Sequence, residues 1–414
     1  MADKRRVVIT GTGVVSSVGT GVDNFWTALL NGKSGIGTTT IFDASDMRCQ
    51  ISGQVEGFDL SKHLTRKEAR RLDPFCHYAV AAADEAIAQA GIADNEAIDP
   101  WRAGVLIGGG IGGIRTLESQ SAVLRERGPA KASPLMVPMM IIDMASGYVS
   151  MRYKLKGPNL AVVTACASAT HAIGEAMWII KRGDADVMVT GGSEACLCRL
   201  GTAGFCSMKA LSERNDDPEH ASRPFDAGRD GFVPSEGAGV LVLESYEHAT
   251  ARGAEILGEI VGYGASGDAY HITAPDPDGE GAVRAISASL QHESIPVESI
   301  DYINAHGTST PLNDKMETAA IKKALGEYAY EIPVSSTKSM TGHALGAAGG
   351  LEAIVCIRAL CNGVVPPTTN YDDPDPDCDL DYVPNEARET NVNTALSINL
   401  GFGGHNAVLA FRKV

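Results

Sequence analysis

One cysteine of the sequence stands where α/β proteins often place a nucleophile. Cys166 lies in the stretch VVTACASATHAIGEA, residues 162–176, between an apolar, β-branched run and a series of small, helix-compatible residues. A strand that delivers a cysteine to the first turn of a helix points unpaired backbone N–H groups and the positive end of the helix dipole at the sulfur. We therefore expect a lowered thiol pKa, and the small neighbours Ala165, Ala167 and Ser168 leave room for an acyl group. The alternative is a buried structural cysteine.

Two histidines favour the chemical interpretation. His306 in NAHGTST and His343 in KSMTGHALGAAGG directly follow predicted strands, among Gly, Ser and Thr. Strand ends are where α/β folds assemble their sites. Four other histidines lie in polar segments that we expect to be exposed: His63, His220, His248 and His292. A cysteine at a helix start and two histidines at strand ends form a Cys/His/His group suited to acyl transfer.

The elements that must position these residues are strands and helices in alternation. Apolar β-rich runs such as RRVVITGTGVV, LAVVTACAS and IDYINAHGTS are each followed by a small-residue turn and a helical pattern, which predicts an α/β fold with buried strands. Helices are predicted over residues 77–92, 169–183 and 343–363. A strand, turn and helix around Cys166 are echoed weakly around His343. We therefore predict an N-terminal half at 1–252 with the cysteine and a C-terminal half at 253–414 with both histidines.

Size, composition and charge indicate a soluble globular protein whose partners bind to local surface patches. The 414 residues exceed the usual size of one domain, and 44% hydrophobic with 21% charged residues is typical of a globular chain. The net charge of -16 argues against a broad surface for nucleic acid or anionic membrane. There is no signal peptide pattern and no run near 18 uncharged apolar residues, so we predict a cytoplasmic protein without membrane insertion.

Other motifs favour structural roles. Nine scattered cysteines are an odd number, which fits reduced thiols better than a disulfide framework. Cys196 and Cys198 are predicted to be small buried residues, because no second pair or histidine stands at metal-ligand spacing. The glycine-rich stretches lack the spacing and the later acidic residue of a dinucleotide site. The Pro- and Asp-rich residues 371–385 are predicted to form a solvated loop.

Five long motifs carry a family resemblance. They are TACASATHAIGEA around Cys166, RPFDAGRDGFVPSEGAGVLVLE at 223–244, NAHGTSTPLNDKMET at 304–318, STKSMTGHALGAAGGLE at 336–352 and INLGFGGHNAVLAF at 398–411. Together they resemble the β-ketoacyl-acyl carrier protein synthases, in order and over essentially the whole chain. Among these enzymes the sequence is most similar to the elongating type II synthases.

The resemblance implies a fold and a reaction. The fold is the thiolase fold, a duplicated five-layered αβαβα core, generally in a homodimer. The enzyme takes an acyl chain from the phosphopantetheine thiol of acyl carrier protein onto its cysteine. Malonyl-carrier protein then loses CO2, and its carbanion attacks the acyl thioester to give a 3-oxoacyl product two carbons longer. The implied partners are acyl- and malonyl-loaded carrier protein, and no bound cofactor is implied.

The resemblance also assigns catalytic roles. Cys166 is the nucleophile, and its backbone N–H and that of Phe402 hold the acyl oxyanion. His306 and His343 donate to the malonyl thioester oxygen, where decarboxylation builds charge. Lys338 is a catalytic support paired with Glu352, and the side chain of Phe402 is a gate between acylation and condensation.

Binding residues follow by the same route. Ile111 lines the acyl pocket, and Thr308 and Thr310 hydrogen-bond the pantetheine arm. Because carrier protein is acidic, an acidic synthase needs a local basic surface. The residues that match docking positions are Lys67, Arg70, Arg71, Lys131 and Lys209. Arg70 and Arg71 are expected to share a helix face with Lys67. Ala130 stands where a basic residue is common, and no motif for a metal ion is recognised.

Several alternatives stay open at this point. A type II polyketide ketosynthase uses the same Cys/His/His group on its own carrier protein. A non-catalytic chain-length partner shares the fold without the nucleophile, so Cys166 argues against it, and a cysteine hydrolase would release free acid without a malonyl donor. A thiolase is disfavoured because it uses a second cysteine as base. The sequence does not define acyl chain length, saturation, pathway or the physiological carrier.

Overall fold

The computed structural model describes residues 5–291 and 293–414, and over them the chain alternates strands and helices. The strands are β1 Val7–Ser16, β2 Gly19–Thr20, β3 Gly37–Thr38, β4 Ile51–Ser52, β5 Ala103–Gly108, β6 Asn159–Leu160, β7 Val187–Glu194, β8 Gly237–Ser245, β9 Gly258–Gly267, β10 Tyr302–Asn304, β11 Val334–Ser335, β12 Val364–Val365, β13 Arg388–Glu389, β14 Thr394–Gly401 and β15 His405–Arg412. The helices are α1 Val22–Leu30, α2 Arg66–Ala69, α3 Pro74–Ala90, α4 Ile114–Arg127, α5 Met136–Met140, α6 Met144–Tyr153, α7 Ser168–Arg182, α8 Arg199–Ser207, α9 Tyr246–Ala251, α10 Glu280–Gln291, α11 Pro311–Leu325, α12 Lys338–Thr341 and α13 Ala348–Asn362.

The main sheet contains two sets of five strands with the same pairing pattern. In the first set β5 pairs in parallel with β6 and β7, and β8 is antiparallel to both β7 and β1. In the second set β10 pairs in parallel with β11 and β14, and β15 is antiparallel to both β14 and β9. The sets meet at β1 and β9 through only two residue pairs, Val8 with Glu259 and Ile9 with Gly258.

Helices cover the two strand sets in layers. Apolar residues of α3 and α6 pack on the outer face of the first set, and those of α10 and α11 pack on the outer face of the second. Between the sets, α7 and α13 share one core with inward residues of both, among them Ile9, Leu243, Ile260 and Leu409. Buried helices on both faces explain why the strands are continuous apolar runs. The result is a five-layered α/β core.

Two similar turns start the central helices. A single 3₁₀ turn at Ala165–Ala167 leads into α7, and another at Leu345–Ala347 leads into α13. Ala165 and Leu345 each adopt positive φ, 50° and 47°, a left-handed conformation that costs non-glycine residues energy. We call these two turns the first elbow and the second elbow.

Most predicted elements are found with shifted ends. The helix expected at 77–92 is α3, which begins at Pro74 because Asp73 caps it through the Phe75 N–H. The helix expected from residue 343 begins only at 348, because the second elbow precedes it. In the described residues, one stretch, Leu345–Asn362, has the length and composition to cross a membrane, but 83% of it is buried in the core.

The surface loop expected at 371–385 is only partly solvated. Several of its acidic residues are exposed, but Cys378 and Tyr382 are buried. The Tyr382 ring stacks on Phe225 at a centroid distance of 3.8 Å, within the core of the second strand set. Composition alone did not reveal these apolar anchors within the acidic segment.

Candidate active site

The first elbow places Cys166 in the centre of the molecule. Its backbone is fixed by Ser168, whose hydroxyl donates to the Ala165 carbonyl at 2.7 Å and accepts from the Thr164 N–H at 2.9 Å. The end of β14 passes so close that a Cβ on Gly401 would lie 3.3 Å from the Cys166 nitrogen. Cys166 is therefore buried and lies at the predicted helix start, but the buried strand predicted before it is wrong, because β6 covers only Asn159–Leu160 and is exposed.

Both predicted histidines reach this cysteine from the second strand set. His306 follows β10 and His343 precedes the second elbow, and both are buried. One ligand-type atom of each histidine and the Cys166 sulfur all lie within 4.8 Å of one another. The two imidazole rings are nearly perpendicular, with centroids 5.3 Å apart. The structure thus brings the predicted Cys/His/His group together at the junction of the two strand sets.

The two histidines are held in place mainly by hydrogen bonds of their backbone N–H groups. The backbone N–H of His343 donates to the Val233 carbonyl at 2.7 Å, while both ring nitrogens of His343 lack a partner in the described residues. The His306 N–H donates to the carboxylate of Glu317 at 2.6 Å. The Asn399 amide lies 3.5 Å from the Nδ1 atom of His306. Free, buried ring nitrogens at the sulfur are available to a reacting group.

Lys338 and Glu352 form the predicted buried ion pair. The Lys338 ammonium contacts the Glu352 carboxylate, and both side chains are almost fully enclosed. The second oxygen of Glu352 accepts from the Asn399 amide at 2.7 Å. Asn399 therefore links the ion pair to His306, and this link was not predicted.

The expectation of a lowered thiol pKa is wrong. Burial raises the pKa of Cys166 to about 12, while the charge of Lys338 and the Phe402 N–H act in the opposite direction. The helix dipole was considered from the sequence, but complete enclosure of the sulfur was not. Burial and the nearby positive charge of Lys338 also hold the pKa values of His306 and His343 well below the usual range. The group is therefore a neutral thiol beside two neutral imidazoles.

A cavity connects this group to the surface. It has a volume of about 400 Å³ and is lined by Cys166 and both histidines at its inner end. Thr308, Thr310 and Phe402 also line it, with Lys209 among the remaining residues. The hydroxyls of the two threonines lie 2.9 Å apart. A long substrate arm can therefore bring a reacting carbonyl to the sulfur from solvent.

Comparisons with known proteins agree with this geometry. Residues 4–249 match the model of the beta-ketoacyl synthase N-terminal domain, and residues 257–372 match that of the C-terminal domain. The chain belongs to the beta-ketoacyl synthase family.

Relatives in this family match the chain over its length. The 3-oxoacyl-[acyl-carrier-protein] synthase 2 of Synechocystis sp. is 54% identical, with 99% of both chains covered. That of Coxiella burnetii is 51% identical, covering 100% of this chain and 99% of the relative. The similarity predicted from the sequence motifs is confirmed.

Solved ketosynthases share the fold. A beta-ketoacyl synthase from Burkholderia phymatum is 37% identical with a TM-score of 0.92, covering 99% of this chain and 100% of that one. A ketosynthase solved in complex with its type II polyketide acyl-carrier protein is 38% identical with a TM-score of 0.92, and both chains are covered completely. With the five-layered core, these matches confirm the predicted α/β thiolase fold.

The other residues that match functional positions of the family lie either beside the cysteine or at the surface. Ile111 packs against the apolar cluster that contains Cys166 and Leu345. Phe402 lies next to the cysteine, and its backbone N–H opposes the rise in the pKa of the thiol. The side chains matched to carrier docking are all exposed: Lys67, Arg70, Arg71, Lys131 and Lys209. Of these five, Lys209 lines the cavity.

The predicted common helix face for the docking residues is wrong. Helix α2 covers only Arg66–Ala69, so Arg70 caps its end and Arg71 lies beyond it. The helix is short because Pro74 starts α3 just afterwards. The three basic side chains still occupy one exposed segment.

Sequence reasoning missed two buried carboxylates near the site. Glu317 on α11 accepts the N–H groups of His306 and Gly307, the latter at 2.8 Å. Glu194 ends β7 and accepts backbone N–H groups beside Ile111. Burial raises the pKa of each carboxyl to about 7, and the N–H donors oppose that rise. An acidic residue closing the apolar run VMVTGGSE was the available signal for Glu194.

All nine cysteines are free thiols, and seven of them are buried. Cys196 and Cys198 are among the buried ones, as predicted.

Proposed function

We propose that this protein is a 3-oxoacyl-acyl carrier protein synthase that elongates fatty acids by two carbons. The observation that carries the proposal is the enclosed group of Cys166, His306 and His343 at the inner end of the cavity. Full-length similarity to enzymes named 3-oxoacyl-[acyl-carrier-protein] synthase 2 supports the same reaction. The protein is an acyltransferase, and its substrates arrive on the phosphopantetheine arm of carrier protein.

The first step moves the acyl chain to Cys166. The sulfur attacks the thioester carbonyl, the bond to the carrier sulfur breaks, and the thiol proton leaves with the carrier thiol. The N–H groups of Cys166 and Phe402 stabilise the oxyanion of this step. Burial keeps the thiol neutral until substrate enters, since the pKa of Cys166 is raised to about 12.

The second step uses the two imidazoles. Malonyl-carrier protein loses CO2, and the electron pair of the broken bond passes into the thioester carbonyl. His306 and His343 donate N–H hydrogen bonds to that oxygen, because each imidazole is neutral and retains one N–H. The carbanion then attacks the acyl thioester, the bond from the acyl carbon to the Cys166 sulfur breaks, and the sulfur takes a proton from solvent. Lys338 and Glu352 support the position of His306 through Asn399.

The cavity residues guide the substrates. The paired hydroxyls of Thr308 and Thr310 suit the amides of a pantetheine arm. Phe402 follows the end of β14 and precedes two glycines, so its ring can open and close access to Cys166. In this proposal the acyl chain extends from Cys166 past Ile111, which packs against the same apolar cluster as the cysteine.

In this proposal carrier protein binds to exposed basic side chains, one of which lines the cavity. Lys209 stands on the cavity wall, and Lys67, Arg70, Arg71 and Lys131 provide further exposed charge. These local charges oppose the repulsion expected from the net charge of -16. A solved relative was observed with its own acyl-carrier protein.

The proposed assembly is a cytoplasmic homodimer. Strand β6 ends the main sheet and is exposed. Leu160 in this strand and Val163 just after it are 49% and 54% exposed, and Met151 and Val137 are also exposed apolar residues. An open strand edge with apolar neighbours suits a second copy of this chain. Within each subunit we propose halves at 1–252 and 253–414, divided between α9 and β9.

A type II polyketide ketosynthase is the second candidate. Solved polyketide ketosynthases have nearly the same fold, with a TM-score of 0.92. A role as a non-catalytic chain-length partner is less consistent with the site, because this chain has the cysteine and both histidines in place.

Mass spectrometry of the intact protein tests the proposal. The wild type, incubated with acyl-carrier protein, gains the acyl mass on Cys166, and malonyl-carrier protein then discharges it as a 3-oxoacyl product. Cys166→Ala gains none while keeping its fold. A folded wild type that never acquires an acyl group contradicts the proposal and favours a non-catalytic partner. Release of free acid without malonyl donor favours a hydrolase.

A further inference from the structure

Glu194 is a buried carboxylate that receives only backbone hydrogen bonds. It is fully enclosed at the end of β7, and it forms no ion pair within the described residues. Its two oxygens accept N–H groups from Gly110 at 2.7 Å, Ile111 at 3.1 Å, Gly112 at 3.1 Å and Gly346 at 3.2 Å. Three consecutive amides that converge on one anion form a nest, which stabilises negative charge.

These amides belong to two segments that are distant in sequence. Gly110, Ile111 and Gly112 form the loop after β5, and Gly346 lies in the second elbow. The contact is so close that a Cβ on Gly346 would lie 2.1 Å from the Gly110 nitrogen and 2.7 Å from the Glu194 carboxylate. The carboxylate therefore fixes the 110–112 loop against the second elbow.

The fixed loop carries an apolar side chain that packs beside the cysteine, although it does not line the cavity described above. Ile111 packs on the apolar cluster shared by Cys166 and Leu345. We propose that Glu194 is a positioning residue that sets acyl chain-length preference by holding Ile111 as a wall of the acyl pocket. This inference rests on the proposed condensing activity.

A carboxylate fits this nest better than an amide does, because both of its oxygens can accept hydrogen bonds. A glutamine has the same shape, but it has one acceptor oxygen and an NH₂ group that faces other N–H donors. One or more loop amides then lose their partner, and an unpaired buried amide makes the loop conformation unfavourable. A long acyl chain that must be enclosed by the loop is affected more than a short chain that ends before it.

The experiment compares Glu194→Gln with Glu244→Gln. Glu244 is also fully buried, on the neighbouring strand β8, but its partners are Arg252, His248 and Thr10. For each variant, kcat and KM are measured separately with 4-, 8- and 16-carbon acyl-carrier proteins. In Glu194→Gln the kcat/KM ratio of 16-carbon to 4-carbon chains falls about tenfold, as expected for one lost charged hydrogen bond. In Glu244→Gln this ratio keeps its wild-type value.

A double variant tests whether the effect passes through Ile111. In the Ile111→Ala background the wall is already absent, so Glu194→Gln adds no further change in the chain-length ratio. An unchanged ratio in folded Glu194→Gln overturns the inference, and so does an equal additional effect in the Ile111→Ala background. An inactive but folded wild type would instead contradict the proposed function.

Two further measurements apply if Glu194→Gln does not fold. Gly346→Ala presses on the same loop without removing the charge, and it should lower the same ratio. In the wild type, a 16-carbon chain on Cys166 should slow hydrogen exchange of the 110–112 amides more than a 4-carbon chain does. Equal exchange in both loaded forms overturns the inference without any substitution.

Discussion

The two elbows are built alike but carry different chemistry. Both have a positive-φ residue, a 3₁₀ turn and a central helix, and aligning them places Cys166 opposite Gly346. In this alignment His343 corresponds to Val163, Lys338 to Pro158 and Glu352 to Ala172. The first elbow thus carries the thiol, and the second carries an imidazole and a buried ion pair. The two turns therefore share one backbone conformation but carry different and complementary side chains.

The loops beside the elbows follow the same principle. The loop after β5 is fixed by Glu194, and the loop after β10 is fixed by Glu317. Each carboxylate is buried and accepts consecutive backbone N–H groups. One loop presents an apolar side chain, Ile111, and the other presents His306. The two anchored loops therefore hold an apolar side chain on one side of the candidate site and an imidazole on the other.

Removing an imidazole should have the largest effect on this division. In His343→Ala and in His306→Ala, condensation should fall on the order of 100-fold or more, because a donor to the enolate oxygen is lost. Acylation of Cys166 should fall much less. Rapid-quench measurement of the two half-reactions checks this. Equal losses in both half-reactions would show that the imidazoles contribute to acylation of Cys166 as much as to condensation.

The ion pair of the second elbow should be the next most sensitive feature. Lys338→Met leaves the Glu352 carboxylate buried without its cation, so the free energy of unfolding should fall by about 3–5 kcal/mol. Lys315→Met is the matched control, since it breaks an exposed, solvent-screened pair with Asp377 and should leave that free energy almost unchanged. Urea unfolding measures both. Equal small losses would mean that the buried pair is not tightly coupled.

The first elbow should have a distinctive pH dependence. Because burial raises the pKa of Cys166 to about 12, the thiolate fraction should increase about tenfold per pH unit between roughly pH 7 and 9. The alkylation rate of Cys166, followed by peptide mass spectrometry, should rise over this whole range. A free model thiol that levels off near its own pKa is the control. A plateau below about pH 8 would show that the helix dipole outweighs burial.

The smallest expected effect concerns backbone strain. Ala165→Gly relieves a positive φ, but it also makes the unfolded chain more flexible, so the free energy of unfolding should rise by less than about 1 kcal/mol. Leu345→Gly relieves the same strain in the second elbow but removes a buried side chain, and should cost about 2–4 kcal/mol. Thermal unfolding compares the two. A large loss in Ala165→Gly would show that its methyl group is a packing element.

Local patterns explain what the sequence predicted. Apolar runs followed by small residues identified the strands and the starts of α7 and α13, and so placed Cys166, His306 and His343 at strand or helix ends. Family similarity supplied the roles that spacing could not. These features depend on residues that are neighbours along the chain.

Long-range packing explains what the sequence did not predict. The Glu194 and Glu317 anchors depend on which loop amides turn inward after the chain has folded. The raised pKa of Cys166 depends on β14 and Phe402 closing over a sulfur more than 200 residues earlier in the chain. The end of α2 depends on where α3 begins, so basic residues that looked contiguous on one helix were not.

The narrow seam between β1 and β9 has a consequence for how the reacting groups are held together. Only two residue pairs join the strand sets there, yet the thiol comes from one set and both imidazoles from the other. The distance from the sulfur to the imidazoles therefore depends on how one strand set is placed against the other, and not on either set alone.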